Sequence, residues 1–261
     1  MPDPSDLWTR YDNIMKKINP NSSSKAAFAS RGTSRSTITA SVANSPVSSV
    51  TIVSWSAAAS NDALRMGKIA EAKQLEELKQ EAMEKTTPED VNNEISAFYS
   101  MAFDLRNAEM TLESIANISE TTISKESRQV IESYLDRVSL ITTGVVSRLR
   151  GVVTDSLNEL KERLSGLKDL LKQGVKKAKG EIIDAFNKVM DYFFGIISDF
   201  VSRMFSFVSS INELAKKKGY TLKSLDISFD PPSFGKVTIL GVPVPFPKFS
   251  LPKLDVNFEP K

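Results

Sequence analysis

The chain has 261 residues and a mass of 28.8 kDa, with 41% hydrophobic and 25% charged residues, near the globular average. That argues against wholesale disorder and against a polytopic membrane protein. There is no cysteine and no histidine, which removes disulfides, thiolate and imidazole metal ligands, Cys nucleophiles and Ser-His-Asp triads.

Thirty-four basic residues against 32 acidic ones leave a charge of +2, too even for bulk attraction to nucleic acid, which is not expected as a partner. Met1-Pro2-Asp3-Pro4-Ser5-Asp6 carries acids where a signal peptide would carry a basic patch and then an apolar run. No run of about 18 uncharged apolar residues marks a clear transmembrane helix. A soluble or peripherally membrane-associated protein is expected, its compartment unassigned.

Leu7, Trp8, Tyr11, Ile14, Met15 and Ile18 recur at helical spacing and predict a short amphipathic helix ending at Asn19-Pro20. From Asn21 to Ser60 the composition turns to Ser, Thr and Ala, with Lys25, Arg31 and Arg35 as its charges. This reads as a linker or surface arm. Within it Ile38, Ala40 and Val42 alternate before Asn44-Ser45-Pro46, and Val50 and Ile52 alternate after it, predicting a hairpin over 37–55. Residues 1–61 are thus expected to be an N-terminal helix and arm.

Residues 62–219 are expected to form an elongated bundle of long amphipathic helices. Asp62 to Lys85 is rich in good helix formers, with Ile69, Ala72, Leu75, Leu78 and Ala82 inward. Thr87-Pro88-Glu89-Asp90 is a helix start, with Thr as cap, Pro at the first helical position and acids in the first turn. That helix should carry Val91, Ile95, Phe98, Ala102, Leu105, Leu112 and Ile115, fade near Asn117, and be followed by one capped by Ser124.

A ladder from Leu157 to Leu214 then advances by about 3.56 residues per step, between a strict heptad and an ideal helix. This fits gently wound bundle helices better than a regular two-stranded coiled coil. Reversals are expected near Thr142-Gly144 or Lys179-Gly180.

Phe186 to Ile211 has an unusually wide apolar face, with Phe193, Phe194, Ile197, Phe200, Val201, Met204, Phe205 and Phe207 as the candidate membrane or partner interface. The plainer reading of this stretch is a central bundle helix. The sharper one is a segment that enters a bilayer, in which Asp191, Asp199 and Arg203 would have to face water or one another. Lysine clusters at 172–179 and 216–218 flank it, either as solvated helix faces or as contacts for an anionic membrane surface.

The period changes from helical to two over 220–261. Leu222-Lys223-Ser224-Leu225-Asp226-Ile227-Ser228-Phe229-Asp230-Pro231 matches Leu251-Pro252-Lys253-Leu254-Asp255-Val256-Asn257-Phe258-Glu259-Pro260 at an offset of 29, with seven of ten columns identical or conservatively replaced. This duplicated segment is the candidate assembly strand, its apolar positions Leu225, Ile227, Phe229, Leu254, Val256 and Phe258. Between the copies, Val242-Pro243-Val244-Pro245-Phe246-Pro247 removes every second N–H donor and belongs on a sheet edge. A small β-meander capping the bundle is the plain reading of this region.

No Walker, GxGxxG or GxSxG motif occurs. Paired carboxylates need no histidine, yet no spacing singles out two, and an Asp226/Asp255 pair is better explained as turn or edge-strand residues. No catalytic residue, cofactor or metal is assigned.

The expected class is α+β, predominantly α, with a small Pro-rich β segment at the C-terminus. The expected function is that of a non-enzymatic structural or assembly protein, a homo-oligomer or a partner of other subunits in a virion, filament or other particle. The alternative is a membrane-active, pore-forming or lipid-surface-binding protein using the helix over 186–211.

Overall fold

The computed structural model describes residues 4–18, 48–118, 124–149, 154–173, 175–228, 233–248, 250 and 253–260. Seven helices occur among them: α1 (Pro4–Ile18), α2 (Ser49–Arg65), α3 (Ile69–Lys85), α4 (Pro88–Ile118), α5 (Lys125–Leu149), α6 (Thr154–Gln173) and α7 (Val175–Lys218). Four strands follow: β1 (Tyr220–Ser228), β2 (Ser233–Ile239), β3 (Val242–Lys248) and β4 (Lys253–Pro260). The protein is mostly helical, with a small antiparallel sheet near the C-terminus.

The chain divides into two compact units, one within 1–98, 200–226 and 254–261, the other within 99–199 and 227–253. In the first unit, α2 and α3 form a hairpin. The helix-end geometry at Met66-Gly67-Lys68 has the Met66 N–H bonded to the Asp62 carbonyl (3.0 Å), Gly67 to Leu64 (3.0 Å) and Lys68 to Ala63 (2.8 Å). Gly67 takes φ +73, the left-handed conformation that lets a glycine end a helix.

On α1, Leu7, Tyr11, Ile14 and Ile18 are buried in alternating steps of four and three residues. Trp8, Tyr11 and Trp55 form a mutual aromatic cluster, each pair of ring centroids 5.6–5.7 Å apart. Phe98 packs against Phe200 at 5.9 Å and Phe207 at 5.1 Å.

Ion pairs close the rim of this unit. Lys79 of α3 is buried and meets Glu213 at 2.6 Å and Glu76 at 3.3 Å. Arg10 meets Glu81 at 2.5 Å, and Lys217 meets Glu84 at 3.3 Å.

The second unit buries successive layers: Leu105, Leu112 and Ile115 of α4; Ile131, Leu135, Val138 and Val145 of α5; Leu160, Leu164, Leu167 and Leu171 of α6; Ile182, Phe186, Val189 and Phe193 of α7. Arg148 pairs with Asp104 and Lys168 with Asp136. The β2–β3 hairpin pairs antiparallel in a register from Ser233↔Lys248 to Ile239↔Val242.

Its turn residues, Leu240 (φ 51) and Gly241 (φ 76), both lie in the left-handed region, the mark of a two-residue primed turn whose twist matches the strands. Leu240 accepts that conformation because its side chain is fully buried. It reaches a void of about 20 Å³ bordered by Ile115, Ile131, Leu167 and Phe186. Pro243, Pro245 and Pro247 fall opposite Thr238, Lys236 and Phe234, so the ladder rests on the intervening N–H groups and the other edge of β3 lacks donors.

Four expectations are corrected. The hairpin over 37–55 does not form in its second arm: Val50 and Ile52 lie in α2, and the first arm lies outside the described residues. The Ser48 side chain caps that helix by accepting the Thr51 N–H at 3.3 Å, and burial of Ser49 to Ser56 on every side overrides the strand preference of Val-Thr-Ile-Val.

The helix expected from Asp62 to Lys85 is two helices broken at Gly67, and Ile69 is exposed rather than inward. Gly144 and Gly180 lie inside α5 and α7 rather than at reversals, because one glycine costs only about 1 kcal/mol inside a long packed helix. The C-terminal strands form two separate two-stranded sheets, β1–β4 and β2–β3, not one meander.

Candidate functional site

The residues singled out on α7 divide between the two units. In the second unit, Phe193 and Ile197 are buried and Phe194 is half-buried. In the first, Phe200, Met204 and Phe207 are buried, Val201 is half-buried, and Phe205 is 49% exposed. The regular buried spacing Phe186, Phe193, Phe200 and Phe207 comes from a helix whose seven-residue repeat keeps one ring per two turns on the same face. Residues Lys179–Lys218 of α7 are long and apolar enough to cross a membrane, with a mean hydropathy of 1.3 in the most apolar window, half of which is buried.

Arg203 stands inside this apolar stretch. It is 4% exposed, and its guanidinium acts on the adjacent, buried Tyr11 hydroxyl by charge and by a side-chain hydrogen bond. Burial pushes the Tyr11 phenol above its usual value, against the downward pull of the Arg203 charge.

Glu94, near the start of α4, accepts from the Thr51 hydroxyl at 2.6 Å and the Ser48 hydroxyl at 3.5 Å, so one carboxylate gathers the residues that cap α2. Burial holds this carboxyl above the ordinary glutamate range, against those two hydrogen bonds.

The candidate assembly residues lie on paired strands. Leu225 and Ile227 are in β1, and Leu254, Val256 and Phe258 are in β4. Phe229 lies outside the described residues. The two copies of the repeat are therefore each other's strand partners in a two-stranded sheet. Asp226 and Asp255 belong to the same strand pair.

An open cleft of about 640 Å³ in the second unit runs between α6 and α7, lined by Glu162, Asp169, Glu181 and Asp184 together with Arg163 and Lys188. The Arg163 guanidinium sits 5.8 Å from the centre of the Tyr192 ring. Among the described residues no group of three or more acidic side chains is gathered closely enough to hold a metal ion.

Sequence reasoning missed the roles of Glu94 and of the α2–α3 turn. Gly67, followed by Lys68, was an available stop signal, but good helix formers on both sides masked it. Nothing in the sequence distinguishes Glu94 from the other acids of its helix. No protein-family model matches the chain, and neither a curated protein nor a solved structure is significantly similar to it.

Proposed function

We propose that this protein is a non-enzymatic assembly component that self-associates through its duplicated C-terminal strands. The observation that carries the reading is the pairing of β1 with β4. A two-stranded sheet is marginal by itself and leaves two outer edges of N–H and C=O groups seeking partners. Because β1 and β4 repeat one sequence pattern at an offset of 29, β4 of a second copy can take the place of, or add beside, β4 of the first. Exchange or edge addition between copies then adds ladder hydrogen bonds without requiring a new surface. The donor-poor outer edge of β3 directs association away from the β2–β3 hairpin.

Light scattering coupled to size exclusion tests this on the full chain beside one ending at Ser250, which lacks β4 but keeps β2 and β3. The full chain should be oligomeric and the shortened one monomeric, both with the same helical circular dichroism. A full-length chain that stays monomeric across micromolar concentrations rules the reading out.

A further inference from the structure

The tip of the α2–α3 hairpin has a chemistry that strand assembly does not use. Leu64, Met66 and Ile69 are 54%, 63% and 71% exposed, the last two being the most exposed large apolar side chains among the described residues. All three lie within six residues, around one turn. Single exposed apolar residues need no explanation, but three clustered at a protruding tip do.

The tip is built rather than loose. Three backbone hydrogen bonds close the turn, Gly67 adopts φ +73, and the Ser60 hydroxyl donates to the Ala72 carbonyl at 3.2 Å across the hairpin. Lys68 reaches across to the end of α1, where its ammonium donates to the carbonyls of Lys17 (2.7 Å) and Ile18 (2.5 Å). The end of α1 is thereby pinned beside the exposed turn.

Basic residues surround the apolar ones. Lys16, Lys17, Arg65 and Lys68 stand there against Asp12, Asp62 and Glu71. Asp12 is taken up by Lys16 at 2.5 Å and Asp62 by Arg65 at 3.7 Å. No acidic residue occurs between Asp12 and Asp62 in the sequence.

We infer that this tip, Leu64, Met66 and Ile69 with Lys17 and Arg65, docks on the surface of an anionic lipid bilayer. A rigid turn projecting aliphatic side chains suits the acyl boundary, where such groups gain by leaving water, while the lysine and arginine remain at the depth of the phosphates. A protein interface core instead favours aromatic residues and is depleted of lysine, whereas this tip has lysine and no exposed aromatic residue. The surface lies far along the sequence from the Phe-rich stretch of α7 and requires no rearrangement of the core.

Vesicle flotation with full-length protein tests the assignment. Wild type should float with phosphatidylcholine/phosphatidylserine vesicles and far less with phosphatidylcholine alone, and the binding should weaken as salt screens the lysines. Met66→Ser combined with Ile69→Ser should weaken flotation roughly tenfold while leaving the circular dichroism and oligomeric state unchanged, since both side chains already face water. Arg65→Gln combined with Lys17→Gln should remove the preference for phosphatidylserine.

Three results overturn the assignment: no flotation of wild type with either vesicle, equal flotation with both, or a Met66/Ile69 variant that floats as wild type does. Strand-mediated assembly is read separately by light scattering, so either idea can fail without the other.

Discussion

Arg203 of α7 and Tyr11 of α1 share a buried site in which the guanidinium acts on the phenol through both its charge and a side-chain hydrogen bond, while the guanidinium makes no ion pair among the described residues. A charge taken out of water without an opposite charge opposes folding. Arg203 therefore weakens the packing of α1 on the unit that contains both residues.

Replacing Arg203 with methionine keeps most of the side-chain volume and removes the desolvated charge. Arg203→Met should raise stability by about 1–3 kcal/mol, read as a higher urea midpoint with an unchanged slope. Lower stability would mean that the guanidinium is satisfied in solution.

Glu94 makes stability depend on pH. Its carboxyl is held above the ordinary glutamate range by burial, so the folded state binds protons more readily than the unfolded chain. The sign follows from linkage: the stabilising proton is fully present below the unfolded value of about 4.3 and is lost as pH rises through the raised folded value. Glu94→Gln keeps an acceptor for Thr51 without the charge. It should raise the melting temperature at pH 7 and converge on wild type below about pH 4. Equal melting temperatures at pH 7 would show that Glu94 carries no such penalty.

Lys79 tests the join between α3 and the last turns of α7. Burial pushes its ammonium down, but the hydrogen bond to Glu213 and the charge of Glu76 outweigh that, and the group is held above its ordinary value. Lys79→Ala removes a buried aliphatic stem and a charge-assisted bond whose carboxylate partners are themselves half-exposed. A loss of about 1–3 kcal/mol is expected in chemical denaturation. Glu213→Gln should cost less, because Lys79 keeps Glu76.

At the β2–β3 turn, Leu240→Ala should destabilise by about 2–4 kcal/mol, since it enlarges an existing void among buried helices while leaving the φ of 51 in place. Gly241→Ala should cost only about 1 kcal/mol, the penalty of a Cβ at φ 76, where nothing lies within contact distance of the added atom. Thermal unfolding of the two variants separates packing from backbone strain at adjacent positions.

The punctuation of the chain was legible in its local chemistry. Thr87-Pro88 begins α4, where the Thr87 hydroxyl accepts the Asp90 N–H at 3.1 Å and the Thr87 N–H is accepted by Asp90 at 2.9 Å. Ser124 caps α5 by accepting the Ser127 N–H at 3.1 Å. Such signals act over three or four residues and need no tertiary context. The stretch at 49–56 was not legible in the same way. Its β-branched and hydroxyl residues lower helix propensity by tenths of a kcal/mol each, a preference that burial reverses.

The candidate surfaces divide along the same line. Regular apolar spacing on α7 marked its residues as facing something, but not whether that something was core, membrane or another chain. Periodicity encodes which side chains share a face, and only neighbouring elements decide what covers it. Ile69 shows the converse, fitting an inward pattern yet standing in water because it is the first residue of α3, at the hairpin turn, while Ala72, Leu75 and Leu78 on the same face are buried.

The absence of histidine and cysteine, the helical period from Asp62 to Lys218 and the duplicated strand pattern were properties of the sequence alone, because each depends on residue identity or on spacing along the chain. That β1 pairs with β4, that Arg203 lies buried beside Tyr11, and that Leu64, Met66 and Ile69 stand exposed at one tip were decided by the tertiary structure. Each depends on how the elements pack in three dimensions, and on how much water that packing leaves around a given side chain.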